Sequence, residues 1–276
     1  MNALLRVYLG VTLLYSGLCL SRQATADVVV PTQPREYSAG HADLGVVYEG
    51  GNLGIRWFFG QDAVLDGKET QANLELDSRE AFVRVGPDEF VRQEQTLGPA
   101  WSFTGLTPNV PGYLSILPAN IPEGQEDAVP HLGFSTGGLF AADWKNGQIE
   151  WAMTAAKMPP GGEFSMWVTS SDVRFATSDG INDGDRFLFG AGGHSHFNLG
   201  FTETGVYDIT LTVSGEHADD GLQTGSASFL FVVGDATAVP EAGTVTLLAL
   251  GSLGLIVGGW HQRRRRSVAE GEAAAA

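Results

Sequence analysis

Between residues 207 and 214, apolar and polar side chains alternate without a break. Tyr207, Ile209, Leu211 and Val213 form one set; Asp208, Thr210, Thr212 and Ser214 form the other. A period of two places each set on its own face of a β-strand. One dry face and one wet face is the pattern of a sheet that packs on its core from one side. Phe229, Phe231 and Val233 repeat the spacing and predict a partner strand. Residues 43–48 and 53–59 flank Gly50-Gly51-Asn52, which reads as a hairpin. Further strands are predicted at 81–85, 113–117, 149–154, 164–169 and 173–177. Helical periodicity is almost absent.

Short strands separated by Gly, Asn, Asp and Pro predict an all-β sandwich over residues 37–234, in one or two lobes. The chain holds 37 glycines and is 43% hydrophobic, which supplies both the turns and the core such a fold needs. Gly205-Val206-Tyr207 opens the clearest strand and is similar to the tyrosine corner of immunoglobulin-like sandwiches. An immunoglobulin-like or jelly-roll-type sandwich is therefore expected, with Tyr207 in a packing role.

The two ends differ from this middle. Arg6 precedes an uncharged apolar run over residues 7–20, and Ala24-Thr25-Ala26 then offers small residues at Ala24 and Ala26, the positions a signal peptidase reads. Residues 1–26 are expected to be a secretory signal peptide cleaved before Asp27, with the Sec translocon and signal peptidase as partners. Leu18 before Cys19 is not the small residue a lipoprotein signal requires. Cys19 is the single cysteine of the chain, so the mature protein would have neither disulfides nor thiolate metal ligands.

At the other end, residues 243–260 carry no charge, and Arg263, Arg264, Arg265 and Arg266 follow. The length is that of a short transmembrane helix, and the arginines would stay cytoplasmic. Both ends thus give one topology, with the middle region outside the cytoplasmic membrane. Between residues 27 and 241 there are 10 basic and 30 acidic residues, a net charge of −20. Such a surface repels nucleic acid and tolerates divalent cations.

Three groups of residues invite a chemical reading. His194 and His196 lie two apart in Gly-His-Ser-His-Phe-Asn. On a strand they would project from one face, about 6–7 Å apart, and could share a transition metal such as Zn²⁺. Candidates for a third ligand are His41, Asp43 and His131, with His41 first, because His41 and Asp43 repeat the two-residue spacing. The alternative is that the histidines hydrogen-bond loop carbonyls at a sandwich end. Asp179, Asn182, Asp183 and Asp185 form an acidic, glycine-rich loop whose oxygens suit Ca²⁺, although an ordinary turn explains them as well. Trp57, Trp101, Trp144, Trp151 and Trp167 would serve as a sugar platform or as sandwich core. No nucleophile elbow, phosphate loop or His-Glu-x-x-His helix is present, and no catalytic residue is assigned.

Val239-Pro240-Glu241-Ala242, the apolar span and the arginine cluster together resemble the PEP-CTERM sorting signal, with Pro240 and Glu241 as its motif and Ala242 in place of the usual second proline. In this reading residues 235–238 are a linker, 239–266 the signal and 267–276 a tail. The resemblance implies recognition by an exosortase and delivery to the cell surface or extracellular matrix. The middle region resembles the choice-of-anchor M domain, also called the actinobacterial surface-anchored protein domain. The likeness is carried by residues 161–167, Ser178-Asp179-Gly180-Ile181, Gly193-His194-Ser195-His196-Phe197-Asn198, Gly205-Val206-Tyr207, the pair His41 and Asp43, and the steps Leu117-Pro118 and Leu132-Gly133. That family has no established activity, and some members lie beside metal-type ABC transport genes. The expected protein is a non-catalytic, surface-anchored one, binding a divalent metal or an extracellular polysaccharide. A metal-capturing domain serving an ABC transporter and a secreted carbohydrate-active protein are the alternatives.

Overall fold

The computed structural model describes residues 34–86, 92–121 and 128–236. The expected signal peptide with Ala24 and Ala26, and the sorting signal with Pro240, Glu241, Arg263, Arg264, Arg265 and Arg266, lie outside the described residues. Among the described residues no helix is long and apolar enough to cross a membrane.

The chain forms seventeen strands among the described residues. In order these are β1 (Arg35–Glu49), β2 (Asn52–Phe59), β3 (Val64–Leu65), β4 (Lys68–Glu69), β5 (Leu74–Leu76), β6 (Ala81–Val85), β7 (Arg92–Gln95), β8 (Gly112–Leu117) and β9 (Pro130–Ser135). There follow β10 (Gln148–Lys157), β11 (Phe164–Thr169), β12 (Asp172–Ala176), β13 (Arg186–Gly190), β14 (His194–His196), β15 (Asn198–Phe201), β16 (Gly205–His217) and β17 (Gly221–Val233). Every strand expected from alternation is present.

The fold is all-β, with two sheets. The larger runs β13-β10-β16-β17-β6-β1-β2-β5 and carries β9 and β14 as a branch on β1. The smaller runs β12-β11-β15-β8-β7. One continuous core joins them: Trp57, Trp151, Phe134 and Phe229 from the larger sheet meet Met166, Phe175, Leu199 and Phe201 from the smaller. The two sheets therefore make one sandwich lobe, as in other face-packed β proteins. The alternating residues of β16 behave as their pattern requires, with Tyr207, Ile209, Leu211 and Val213 buried. The Tyr207 hydroxyl donates to Glu203 O at 2.9 Å and accepts from Glu203 N at 3.0 Å, tying the turn to the strand start.

The strand that positions the site is β1. Its first residues, Arg35 to Tyr37, pair parallel with β6, while its later residues pair parallel with β9 and antiparallel with β2. The change of partners falls at Gly40, whose φ is +74°. A Cβ there would stand 2.1 Å from the Asp62 carbonyl oxygen, so the bend needs glycine on two counts.

A second crossing brings the histidine motif to the site. His194 to His196 pair with β9 in the larger sheet, and Asn198 to Phe201 pair with β8 and β11 in the smaller. Phe197, between them, is buried in the shared core. The Asn198 side chain holds the crossing: its Oδ1 accepts from Ala119 N at 3.1 Å and its Nδ2 donates to Trp167 O at 3.3 Å.

Candidate metal centre

Three neighbouring strands assemble the centre. β9 lies between β1, to which it is parallel, and β14, to which it is antiparallel. The register places Asp43, Gly133 and His196 in one row across the strands, His41 beside His131 in the next, and Ser135 beside His194 on the other side. Since alternate residues share a face, the two-residue spacings of His41/Asp43, His131/Gly133 and His194/His196 all fall on the same face. The turn that launches β14 is fixed by Thr136, which is fully buried. Its hydroxyl donates to Gly190 O at 2.6 Å and accepts from Gly193 N at 3.0 Å.

His41, Asp43, His194 and His196 each offer one ligand atom, and these atoms all lie within 4.8 Å of one another. Asp43 Oδ1 stands 2.9 Å from His194 Nε2 and 3.5 Å from His41 Nε2. The His41 backbone N–H donates to Asp62 Oδ2 at 3.1 Å, which pins the strand at that point. The His41 ring lies 5.3 Å from His196 and 5.6 Å from His194, between centroids.

His131 plays a different part from the other three histidines. Its ring stacks on His196 with centroids 3.8 Å apart and planes inclined by 16°. Its Nε2 lies 3.2 Å from the Ala119 carbonyl, which orients the ring. It stands outside the four-residue group and supports the His196 imidazole from behind.

The protonation states favour a cation. Burial, reinforced by the imidazoles of His131, His194 and His41, pushes His196 down to about 4. Burial also lowers His131. Both rings are therefore neutral at pH 7, the form that ligates metal. His196 Nδ1 is moreover buried with no hydrogen-bond partner among the described residues. Three imidazoles and one carboxylate oxygen form a donor set suited to Zn²⁺ or another late first-row ion. The residues present fit such an ion.

The lowered value of His196 has a consequence for the metal-free protein. The unfolded chain takes up this proton near the ordinary value of 6.5, and the folded chain only near 4. Between these values the unfolded state binds more protons, so stability falls as pH falls through that window. Melting temperatures of chelator-treated protein are expected to drop from pH 6.5 to pH 4, and to drop less in a His196→Gln variant. Equal slopes for the two proteins would contradict the assignment.

The acidic loop takes the form of the ordinary turn that was the other reading of it. Both carboxylate oxygens of Asp185 are taken by backbone, Oδ1 by Ala176 N at 2.7 Å and Oδ2 by Asn182 N at 2.8 Å. Asp183 pairs with Arg186 at 2.6 Å. Asn182 accepts from Gly184 N and donates to Gly180 O and Asp179 Oδ2. Hydrogen bonds within the turn and to its flanking strands hold Asp179, Asn182, Asp183 and Asp185, and among the described residues they are not part of the group that could hold a metal ion. Of the five tryptophans, Trp57, Trp144, Trp151 and Trp167 are buried core residues, while Trp101 is half-buried against Phe103 and Trp167. His217 lies apart from the centre, packed against the rings of Tyr48 and Trp144.

The residue that sequence reading did not place in the site is Gly133. Its signal was an isolated glycine two residues from a histidine, in a strand that opens with a proline. Neither a family model, a curated protein nor a solved structure matches this chain.

Proposed function

We propose that this is an exported, surface-held, non-catalytic protein whose β-sandwich binds a divalent transition metal ion, zinc foremost, through His41, Asp43, His194 and His196. The observation that carries the metal reading is the convergence of those four ligand atoms within 4.8 Å from strands distant in sequence. The His194 side chain is 44% exposed and that of His41 34%, so an ion held there remains in exchange with the outside. This accessibility favours capture and release over a sealed structural ion. The excess of acidic residues over residues 27–241 raises the local concentration of cations around the site.

Export and sorting are proposed from the order of the ends: an apolar leader with Ala24 and Ala26, then Pro240-Glu241, an uncharged span and four arginines. The middle region is read as a choice-of-anchor M domain on a PEP-CTERM signal, and the hydrogen bonds of Tyr207 to Glu203 support the immunoglobulin-like kinship of its sandwich. Mass spectrometry of the protein recovered from the cell surface tests this, with zinc measured on the same material. Asp27 is expected at the N-terminus, the peptide holding Arg263 to Arg266 is expected to be missing, and about one zinc per chain is expected. An intact arginine tail would turn the sorting signal into a plain membrane anchor. Material free of any transition metal after exposure to zinc would remove the binding function.

A further inference from the structure

We propose that Gly133 is the bare floor of the metal site: its missing side chain lets Asp43 and His194 close over the middle strand onto one small first-row divalent ion. The inference rests on the metal-binding reading above and places the ion within it. Gly133 stands in the middle strand of the three, flanked in register by Asp43 and His196. His41 and His194 occupy the adjoining rows on opposite sides of it. All four ligands therefore surround one Cα.

A Cβ at this position would lie 2.1 Å from Asp43 Oδ1, 2.8 Å from His194 Nε2 and 3.2 Å from His196 Cε1. No side-chain carbon can stand 2.1 Å from a carboxylate oxygen that it is not bonded to. The carboxylate and the imidazole therefore lie where any side chain on the middle strand would stand. The ion they hold sits further out, clear of the Gly133 Cα, at the usual zinc bond lengths of about 2.0–2.2 Å from its ligand atoms. Backbone conformation does not explain the glycine, because Gly133 is not among the residues with positive φ. A glycine inside a strand weakens it, and close approach by another group is the usual reason for one.

The size of the ion follows from the same geometry. A tetrahedral shell with bonds of about 2.1 Å brings its ligand atoms to about 3.4 Å from one another. From their spread of up to 4.8 Å the four side chains close inward onto a small ion, with the strand backbone as floor. Calcium asks for six to eight oxygens at about 2.3–2.6 Å, and one carboxylate among three imidazoles does not provide them.

Zinc affinity by competition with a chromophoric chelator, together with the visible absorption of the Co²⁺ form, tests the proposal. The full-length protein is compared as itself, Gly133→Ala, Asp43→Ala, and Asp43→Ala with Gly133→Ala. Asp43→Ala is expected to keep weakened binding through the three imidazoles. Adding Gly133→Ala to it is expected to cost a further factor of about 100 and to remove the four-coordinate Co²⁺ bands, because the methyl stands 2.8 Å from His194 Nε2 and pushes that ligand off the ion. The metal-free melting temperatures of these two variants are expected to differ little, since the Asp43 oxygen is gone and the exposed His194 ring can turn aside from the methyl. Gly133→Ala alone is expected to show the same loss of binding; should it fail to fold, the Asp43→Ala pair still decides. Equal affinity within that pair overturns the role of Gly133 while leaving metal binding in place. Absence of zinc binding in the unsubstituted protein defeats the metal reading itself, before any variant is compared.

Discussion

Alanine at both His194 and His196 is expected to lower zinc affinity by about a thousandfold or more while leaving the sandwich folded. Loss of a supporting outer partner alone costs about 10–100-fold at metal sites, and this variant removes two of four direct ligands. What remains, His41 and Asp43, is a pair on one strand, with Oδ1 of the carboxylate 3.5 Å from the imidazole Nε2. Such a pair resembles many surface pairs that hold no ion. The fold should survive because His194 is exposed, His196 is only half-buried, and β14 is a three-residue strand at the end of its branch. Thermal melts make the effect visible a second way. Zinc at about 100 times its dissociation constant stabilises a binding protein by about 2.7 kcal/mol. For a domain of this size that raises Tm by about 5–10 °C. The rise is expected in the unsubstituted protein and is expected to vanish in the variant. An equal zinc-induced rise in both would move the site elsewhere.

The largest loss of stability is expected from Trp57→Ala. Trp57 is fully buried on β2, stacks on Phe59 at 5.5 Å and meets Phe229 edge-on at 5.1 Å. Its indole N–H donates to Ser78 O at 3.1 Å. Truncating a buried tryptophan removes its transfer free energy and leaves a cavity, at a cost of about 3–5 kcal/mol. The carbonyl of Ser78 loses its partner as well. Urea denaturation measures the change, with the m-value expected to stay constant. A shift under about 1 kcal/mol would mean that β2 does not pack on β17 through Trp57 and Phe229 as described. Because β2 backs β1 in register from Ala42 to Glu49, this variant should also weaken zinc binding.

The sequence made the fold class legible for a simple reason. Strands with one wet face write their period into the residues, as β16 does over Tyr207 to Ser214, and β16 indeed buries the expected set. Strands such as β9 are harder to see. Pro130 opens it, Gly133 interrupts it, and its partner β1 lies some ninety positions away and runs parallel. No local signal announces a parallel pairing, since no turn connects the two strands. The centre was legible in part for the same reasons. Two-residue spacing identified His194 with His196 and His41 with Asp43, because spacing is local. That β9 lies between these pairs, and that a glycine occupies the middle of the row, depends on register across three strands. His131 shows the limit most clearly: as a lone histidine it was a candidate ligand, and its neighbours make it a ring stacked on His196 and tied to Ala119. The acidic loop misleads in the opposite direction. Its composition suits calcium, but short polar side chains beside glycines also satisfy their own backbone, and Asp185 does so with both oxygens.

X-ray absorption at the zinc edge of the loaded protein tests the central claim most directly. The account predicts four light ligands at about 2.0–2.1 Å, with the outer-shell scattering of three imidazole rings, in one ion per chain. A shell of six oxygens without imidazole scattering would contradict it, since zinc would then be lying on the acidic surface and not at His41, Asp43, His194 and His196.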